Sequence, residues 1–331
     1  MASQREIQRT YDFMDRVIRL SLGECPDITC ALYDGDYSHT LEQAQRAKHA
    51  YALEAVNLKP GMRLLDIGSG WGPMLRAARE VGADAVGITL SPKQAAACRR
   101  QGLEAHVKDW KTMSSGDLGA FDAIVSIGAF EHFCSPEEHL RGEQDAIYRR
   151  FFALCRRLLP ERGRLYLQTM VWGPNAKPYA AISLRAPKKS DEYLLALLQK
   201  LYPGSWLPDG AEQIARDAEG FRLVSANSGR EDYIETMKEW GRRDMRRTAL
   251  RNPALLLQLS ARYALSRDFR YQVECLARAC NRTCFEREIM DHERMVFERT
   301  DHPGGSASIR RSGSGSVRPG AAPAPPRTGP A

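Results

Sequence analysis

Apolar residues first recur at helical spacing. Ile7, Tyr11, Met14, Ile18 and Leu22 fall every three or four positions and predict an amphipathic helix over 4–22. A second helix is predicted over 40–57, where Thr40 and Gln43 have the spacing of a capping box. From residue 62 the pattern changes. Short apolar runs at 63–68, 84–90, 103–110, 120–128 and 163–172 read as buried strands, separated by helical stretches at 72–82, 91–102 and 137–158. Strands alternating with helices of this length pair in parallel through right-handed crossovers, which gives a doubly wound α/β sheet. Residues 173–218 break the rhythm with helical material. Two more runs, 221–228 and 293–299, read as closing strands with helices between them.

Four segments follow from this pattern: a helical one over 1–58, an α/β core over 59–172, a helical insertion with closing strands over 173–300, and a tail over 301–331. The tail is rich in Gly, Ser, Pro, Ala and Arg and has no aromatic residue, so it is expected to be disordered. Composition adds little to the picture. The 331 residues are 43% hydrophobic and 27% charged. No run approaches the roughly 18 apolar residues of a membrane span, and the amino terminus lacks the apolar stretch of a secretory signal. A soluble, cytoplasmic protein is expected.

The net charge of +7 loses much of its meaning once located. Arg310, Arg311, Arg318 and Arg327 stand against Asp301 in the tail, which leaves about +4 for everything before it. No nucleic-acid partner is expected. One basic cluster remains, Arg242, Arg243, Arg246, Arg247 and Arg251, which is either a solvated face or an anchor for a phosphate group. The eight cysteines show no CxxC and no matching histidine pair, so they are expected to be thiols, with no metal site.

The first strand runs into Asp66-Ile67-Gly68-Ser69-Gly70-Trp71-Gly72. Glycines here let the chain turn sharply and let a ligand approach main-chain N–H groups at a helix start. No acidic residue ends the second strand, where a nicotinamide dinucleotide needs a ribose acceptor, and Pro73 stands in the third position of the longer glycine spacing. A compact nucleoside-like ligand fits better.

LLDIGSGWG (64–72), VGITLSPKQA (86–95), IVSIGAFEHF (124–133) and RLLPERGRLYLQT (157–169) together resemble the cyclopropane-fatty-acid synthase and mycolic acid cyclopropane synthase family of S-adenosylmethionine-dependent methyltransferases. DITCALYDGDYSHTLEQAQRAK (27–48), LYPGSWLPD (201–209) and REDYIETMKEW (230–240) extend the resemblance from about Tyr11 to Arg299. It implies a class-I methyltransferase fold, Rossmann-like, with a seven-stranded, mostly parallel sheet, a helical amino-terminal segment and a helical lid. Its cofactor site implies Gly68, Ser69 and Gly70 under the methionine part of S-adenosylmethionine, Thr89 and Gln94 at the ribose, Trp110 at the adenine, and Ile127 and Thr29 as further contacts. Ile28 stands where the family often has Tyr.

The resemblance also implies chemistry. Methyl addition to an alkene leaves a carbocation, and a base must then remove a proton. In the family that base is thought to be a bound bicarbonate, and the matching holders here are Cys30, Glu131 and Tyr233. The family's strand-five His is Gln168, with Met170 two residues beyond it. Glutamine can donate to an oxyanion but cannot carry a proton. Either an amide holds bicarbonate, or Glu131 is the base itself, its pKa raised by an apolar setting. His132 is expected to orient the loop. Of Tyr33, Trp71, Phe130, Phe133, Trp172, Tyr179, Tyr202, Trp206, Tyr233 and Trp240, no more than half are expected to touch a ligand. The expected activity is methylation or cyclopropanation of an unactivated C=C bond in a lipid-like or isoprenoid substrate, with at most peripheral membrane contact. The alternatives are a biosynthetic methyltransferase of a prenyl diphosphate or small amine, working without bicarbonate, and a non-enzymatic binding protein.

Overall fold

The computed structural model describes Asp15 and residues 18–22, 26–114, 116–242 and 251–300. Asp15 and 18–22 are helical. The rest of the helix predicted over 4–22, Cys25, Arg243, Arg246, Arg247 and the tail lie outside the described residues.

Seven strands form one sheet: β1 (Arg63–Ile67), β2 (Asp84–Thr89), β3 (Glu104–Val107), β4 (Ala123–Ile127), β5 (Arg164–Trp172), β6 (Phe221–Ser228) and β7 (Met290–Arg299). Their order is β3-β2-β1-β4-β5-β7-β6. The first five run parallel, and β7 enters antiparallel between β5 and β6. Parallel strands carry helices on both faces, so their side chains are apolar in both directions. All five residues of β4, AIVSI, are buried.

The helix predicted over 40–57 spans Leu41–Ala55, with Thr40 and Gln43 forming the reciprocal cap. Two boundaries move. The helix predicted over 137–158 is two helices, Pro136–Leu140 and Gln144–Leu158, broken around Gly142, a poor helix former. The strand predicted over 103–110 stops at Val107, because the Asp109 carboxylate accepts from Lys111 N at 2.9 Å and folds Trp110–Thr112 into a 3-10 turn. That turn sets Trp110 against the sheet's edge. Among the described residues no helix is long and apolar enough to cross a membrane, and the seven cysteines are all unbridged and buried.

Beneath the carboxyl ends of the strands lies a cluster of rings. Phe151, fully buried, has ring centroids 5.4 Å from Trp110, 5.5 Å from Phe130, 5.0 Å from Phe133 and 5.4 Å from Phe152. Phe151→Ala leaves a cavity under four rings at once and is expected to lower stability by about 3–5 kcal/mol. Urea unfolding checks this: the midpoint should fall with the slope unchanged.

Candidate active site

The strand order reverses at β1 and β4, and ligands of open α/β sheets bind in the crevice beyond such a point. A cavity of about 510 Å³ occupies it here. The turn after β1 forms one wall. Gly68 and Ser69 N–H groups donate to the Ile88 carbonyl at 2.9 and 3.0 Å, which pins the turn to β2. Gly68 has φ +92°, and a Cβ there would land 2.3 Å from the Ala129 Cβ. Gly70 has φ +53°, and a Cβ there would meet nothing within 4 Å. Packing therefore requires the first glycine, while the second borders open space.

Thr89 and Gln94 line the same cavity, joined by a 2.7 Å hydrogen bond from the Thr89 hydroxyl to Gln94 Oε1. Trp110 lines it too, backed by Phe133 at 4.8 Å. Ile127, at the end of β4, and Thr29 complete the set. Thus the eight residues expected at the cofactor border one space.

Sequence reasoning missed what holds Thr29 there. Asp27 Oδ1 accepts from the Thr29 N–H at 2.9 Å and its hydroxyl at 2.6 Å, while Oδ2 pairs with Lys48 and lies 2.8 Å from His49 Nε2. Lys48 Nζ also donates to Thr29 Oγ1 at 2.7 Å. Burial alone would raise the Asp27 carboxyl, but Lys48 and His49 hold it well below the usual carboxylate range. Asp66 lines the cavity in the opposite condition. Its burial, with the Asp27 charge adding, pushes it up to about 7. Both Asp27 and Lys48 lie in the quoted 27–48 motif, and Asp66 in the glycine-turn motif, so the residues were visible though their roles were not.

A second cavity, of about 100 Å³, adjoins the first; Ile28, Thr29, Gly128 and His132 line both. Glu131, Cys30 and Tyr233 line this smaller one. Glu131 sits in the 3-10 turn Phe130–His132 after β4. Its Oε1 accepts from the Met170 N–H at 2.8 Å, and its buried Oε2 has no hydrogen-bond partner. Burial outweighs the Met170 hydrogen bond and pushes the carboxyl up to about 7. His132, half-buried and bonded through Nδ1 to Ser205 Oγ at 2.6 Å, is driven by desolvation down to about 4 and stays neutral. Burial pushes the Cys30 thiol up to about 12, although Arg294 opposes it; the thiol donates to the Ala31 and Gly229 carbonyls.

Gln168 lines neither cavity. Its Nε2 donates to the Cys30 carbonyl at 2.9 Å, and its Oε1 accepts from the Tyr166 hydroxyl at 2.9 Å. Of the two alternatives, an amide holding bicarbonate or Glu131 as the base, this arrangement does not favour the first: the Gln168 side chain braces residues 26–33. Arg294, opposite Gln168 in the β5–β7 register, does the same from β7. Its Nη2 donates to the Ala31 carbonyl at 2.8 Å and to Asp232 Oδ2 at 2.9 Å. Of the ten aromatic residues considered, Trp71 and Phe133 line the larger cavity and Trp172, Tyr202, Trp206 and Tyr233 the smaller. Tyr33, Phe130, Tyr179 and Trp240 line neither. In the basic cluster, Arg242 pairs with Glu235 at 3.2 Å and Arg251 is exposed. His292 of β7 also lines the smaller cavity, and no sequence signal pointed to it.

The sequence profile of the family described as mycolic acid cyclopropane synthetase matches residues 1–252. Cyclopropane mycolic acid synthase 3 of Mycobacterium tuberculosis is 33% identical over 249 residues, covering 71% of this chain and 79% of the relative. The chain belongs to this family. The cyclopropane synthase MmaA2 of Mycobacterium tuberculosis superposes with a TM-score of 0.67 at 27% identity, over 89% of this chain and 98% of that one. The mycolic acid cyclopropane synthase CmaA1, solved with S-adenosylhomocysteine and CTAB, gives 0.68 at 28% identity with the same coverage. The fold is thus the class-I methyltransferase fold, and the protein is an S-adenosylmethionine-dependent methyltransferase of a lipid or small molecule.

The larger cavity suits that cofactor, since the space left by the missing Gly70 side chain is open for a ligand to approach the turn. Gly70→Val is expected to weaken binding of S-adenosylmethionine and S-adenosylhomocysteine at least 100-fold by calorimetry, while Gly70→Ala weakens it less. Near-wild-type affinity in Gly70→Val would place the cofactor elsewhere.

Proposed function

We propose that this cyclopropane synthase relative adds a methyl or methylene group to an unactivated C=C bond of a lipid-like acceptor held in the smaller cavity, with Glu131 as the base. The observation that carries this reading is Glu131 itself, a buried carboxyl with one oxygen unpartnered, on the wall of an aromatic cavity that shares residues with the cofactor cavity.

Bound S-adenosylmethionine supplies an electrophilic methyl that needs no activation. The chain must then hold the alkene in line, exclude water and accept a proton. The π pair of the acceptor would form the new C–C bond as the methyl–sulfur bond breaks, its electrons leaving with S-adenosylhomocysteine, and a cation would remain on the neighbouring carbon. The faces of Trp172, Tyr202, Trp206 and Tyr233 suit a passing cation. A C–H bond then breaks and its proton goes to Glu131: on the newly added methyl, one carbon removed from the cation, the freed electron pair closes a cyclopropane, and on a carbon next to the cation it forms a new alkene. A carboxyl poised near 7 can both take and release that proton near neutrality. CmaA1 bound to CTAB, a long alkyl chain with a fixed cation, is consistent with such a cavity in the family. Gln168, turned from the cavity, offers no donor for bicarbonate, so we assign no step to that ion.

Glu131→Gln should keep cofactor affinity and cut turnover by about a thousandfold or more, because the amide fills the same space without accepting the proton. In wild type, turnover should rise tenfold per pH unit below about 7 and level off above it, since the base works deprotonated. Transfer of labelled methyl to unsaturated phosphatidylglycerol vesicles and to geranyl diphosphate, with the product identified by mass spectrometry, checks both points. Undiminished turnover by Glu131→Gln would exclude this base and favour an amine acceptor, which sheds its proton to water.

A further inference from the structure

One helix of the molecule packs against very little. Helix Pro253–Leu265 is 13 residues long, and of its side chains only Leu255 is buried. Leu257 is 73% exposed and Leu265 87%, and Leu256 and Tyr263 are exposed as well. At 3.6 residues per turn, Leu256, Leu257, Ala261, Tyr263, Ala264 and Leu265 fall on a broad arc centred near Leu257, on the side away from Leu255. That arc carries no charge. Arg262 is the only charged residue between Asn252 and Ser266, and its guanidinium turns inward over the Phe269 ring at 5.1 Å. Contiguous exposed apolar surface of this kind marks a site of interaction.

Cations bracket the bare face. Over 242–270 the sequence has eight arginines and only Asp244 and Asp268 as acids, in a chain whose total is +7. Arg251 and Arg267 are exposed at the two ends of the helix, and Asp268 is engaged by Lys200 at 2.9 Å. Arg270 fixes the end of the helix by donating to the Tyr263 and Ala264 carbonyls at 3.0 and 3.1 Å. The same helix stands behind the wall of the smaller cavity. Its neighbour Arg267–Ala277 is tied to helix Asp191–Leu201, where Gln272 Nε2 donates to the Lys200 carbonyl at 2.8 Å and the Tyr193 hydroxyl to Glu274 at 3.1 Å. Leu195, Leu198 and Gln199 of that inner helix line the smaller cavity.

We propose that helix Pro253–Leu265 docks the enzyme on the surface of an anionic lipid bilayer, with Leu256, Leu257 and Leu265 entering the acyl boundary and the flanking arginines meeting lipid phosphates. An apolar face bordered by cations is the pattern of a helix that lies in the interface. Its affinity adds buried apolar area to attraction for anionic headgroups. A second copy of this chain suits the face less well. A two-fold contact sets the arginines of one copy against those of the other, which like charge opposes. The inference concerns where the enzyme works, and it does not depend on the reaction proposed above.

The test is sedimentation with vesicles, with S-adenosylhomocysteine present so that no turnover is needed. The full chain should partition about tenfold or more in favour of vesicles of equal parts phosphatidylglycerol and phosphatidylcholine over phosphatidylcholine alone, and added salt should weaken the binding. Leu257→Gln/Leu265→Gln keeps every charge and should lose about tenfold or more of that affinity. Its melting temperature and S-adenosylhomocysteine affinity should stay unchanged, because both side chains are exposed. Arg251→Gln/Arg267→Gln should cut binding to the anionic vesicles about threefold or more and flatten its salt dependence. Absence of vesicle binding, or binding unchanged in the leucine variant, would overturn the proposal. So would a wild-type dimer in sedimentation equilibrium that the leucine variant abolishes, since the face would then belong to a second copy. Docking without methyl transfer to any alkene would sink the proposed reaction alone, and methyl transfer without docking would sink this inference alone.

Discussion

One buried guanidinium holds the reaction site in shape. Arg294 is 4% exposed on β7, and its Nη2 reaches the Ala31 carbonyl, the Cys30 thiol and the Asp232 carboxylate. With Arg294 itself, those groups join three distant parts of the chain. Residues 26–33 contain neither helix nor strand, so their backbone N–H and C=O groups need partners other than a helix or sheet ladder. Side chains supply them: Gln168 to the Cys30 carbonyl, Thr236 to the Ala31 N–H at 3.1 Å, Gln45 to the Thr29 carbonyl at 2.9 Å. A buried charge tolerates its loss of water best where it is paired and hydrogen-bonded, and Arg294 finds its carboxylate and carbonyl partners through Nη2 by bridging elements rather than staying within one, while its Nε is left without a partner. Thr29, which lines both cavities, and Cys30, which lines the smaller, are positioned by this clasp.

Much of the cofactor side was legible in the sequence because its determinants are local. The turn Gly68-Ser69-Gly70, the cap formed by Thr40 and Gln43, and the strand-helix alternation each declare themselves within a few residues. The acceptor side is assembled otherwise. Cys30 meets Arg294, and His292 faces Tyr233, through pairings that no short motif encodes. Gln168 shows the limit most clearly. Its place in a recognised motif was readable, but its direction depends on Tyr166 and on a carbonyl 138 positions earlier. The edge of the sheet was misjudged for the opposite reason: Asp109 ends β3 locally, against an apolar pattern that continues to Trp110.

The family likeness has the same unevenness. The matching profile ends at residue 252, whereas Asn281 and His292 lie beyond it. The structural likeness nevertheless extends over 89% of the chain, so these two residues reach the smaller cavity on the shared fold.

The position of β7 has a consequence for how the molecule is made. Residues 26–172 contain all of the residues lining the larger cavity except Gly204 and leave the ribosome as a continuous stretch. The smaller cavity closes only when Met290–Arg299 inserts antiparallel between β5 and β6, pairing with β5 across more than a hundred residues of chain. Such non-local pairing is slow relative to local structure, and the exposed edge of β5 must wait for it. Synthesis thus yields a nucleoside-binding half first and a reaction chamber last, and the strand that completes the sheet is also the strand that completes the chemistry.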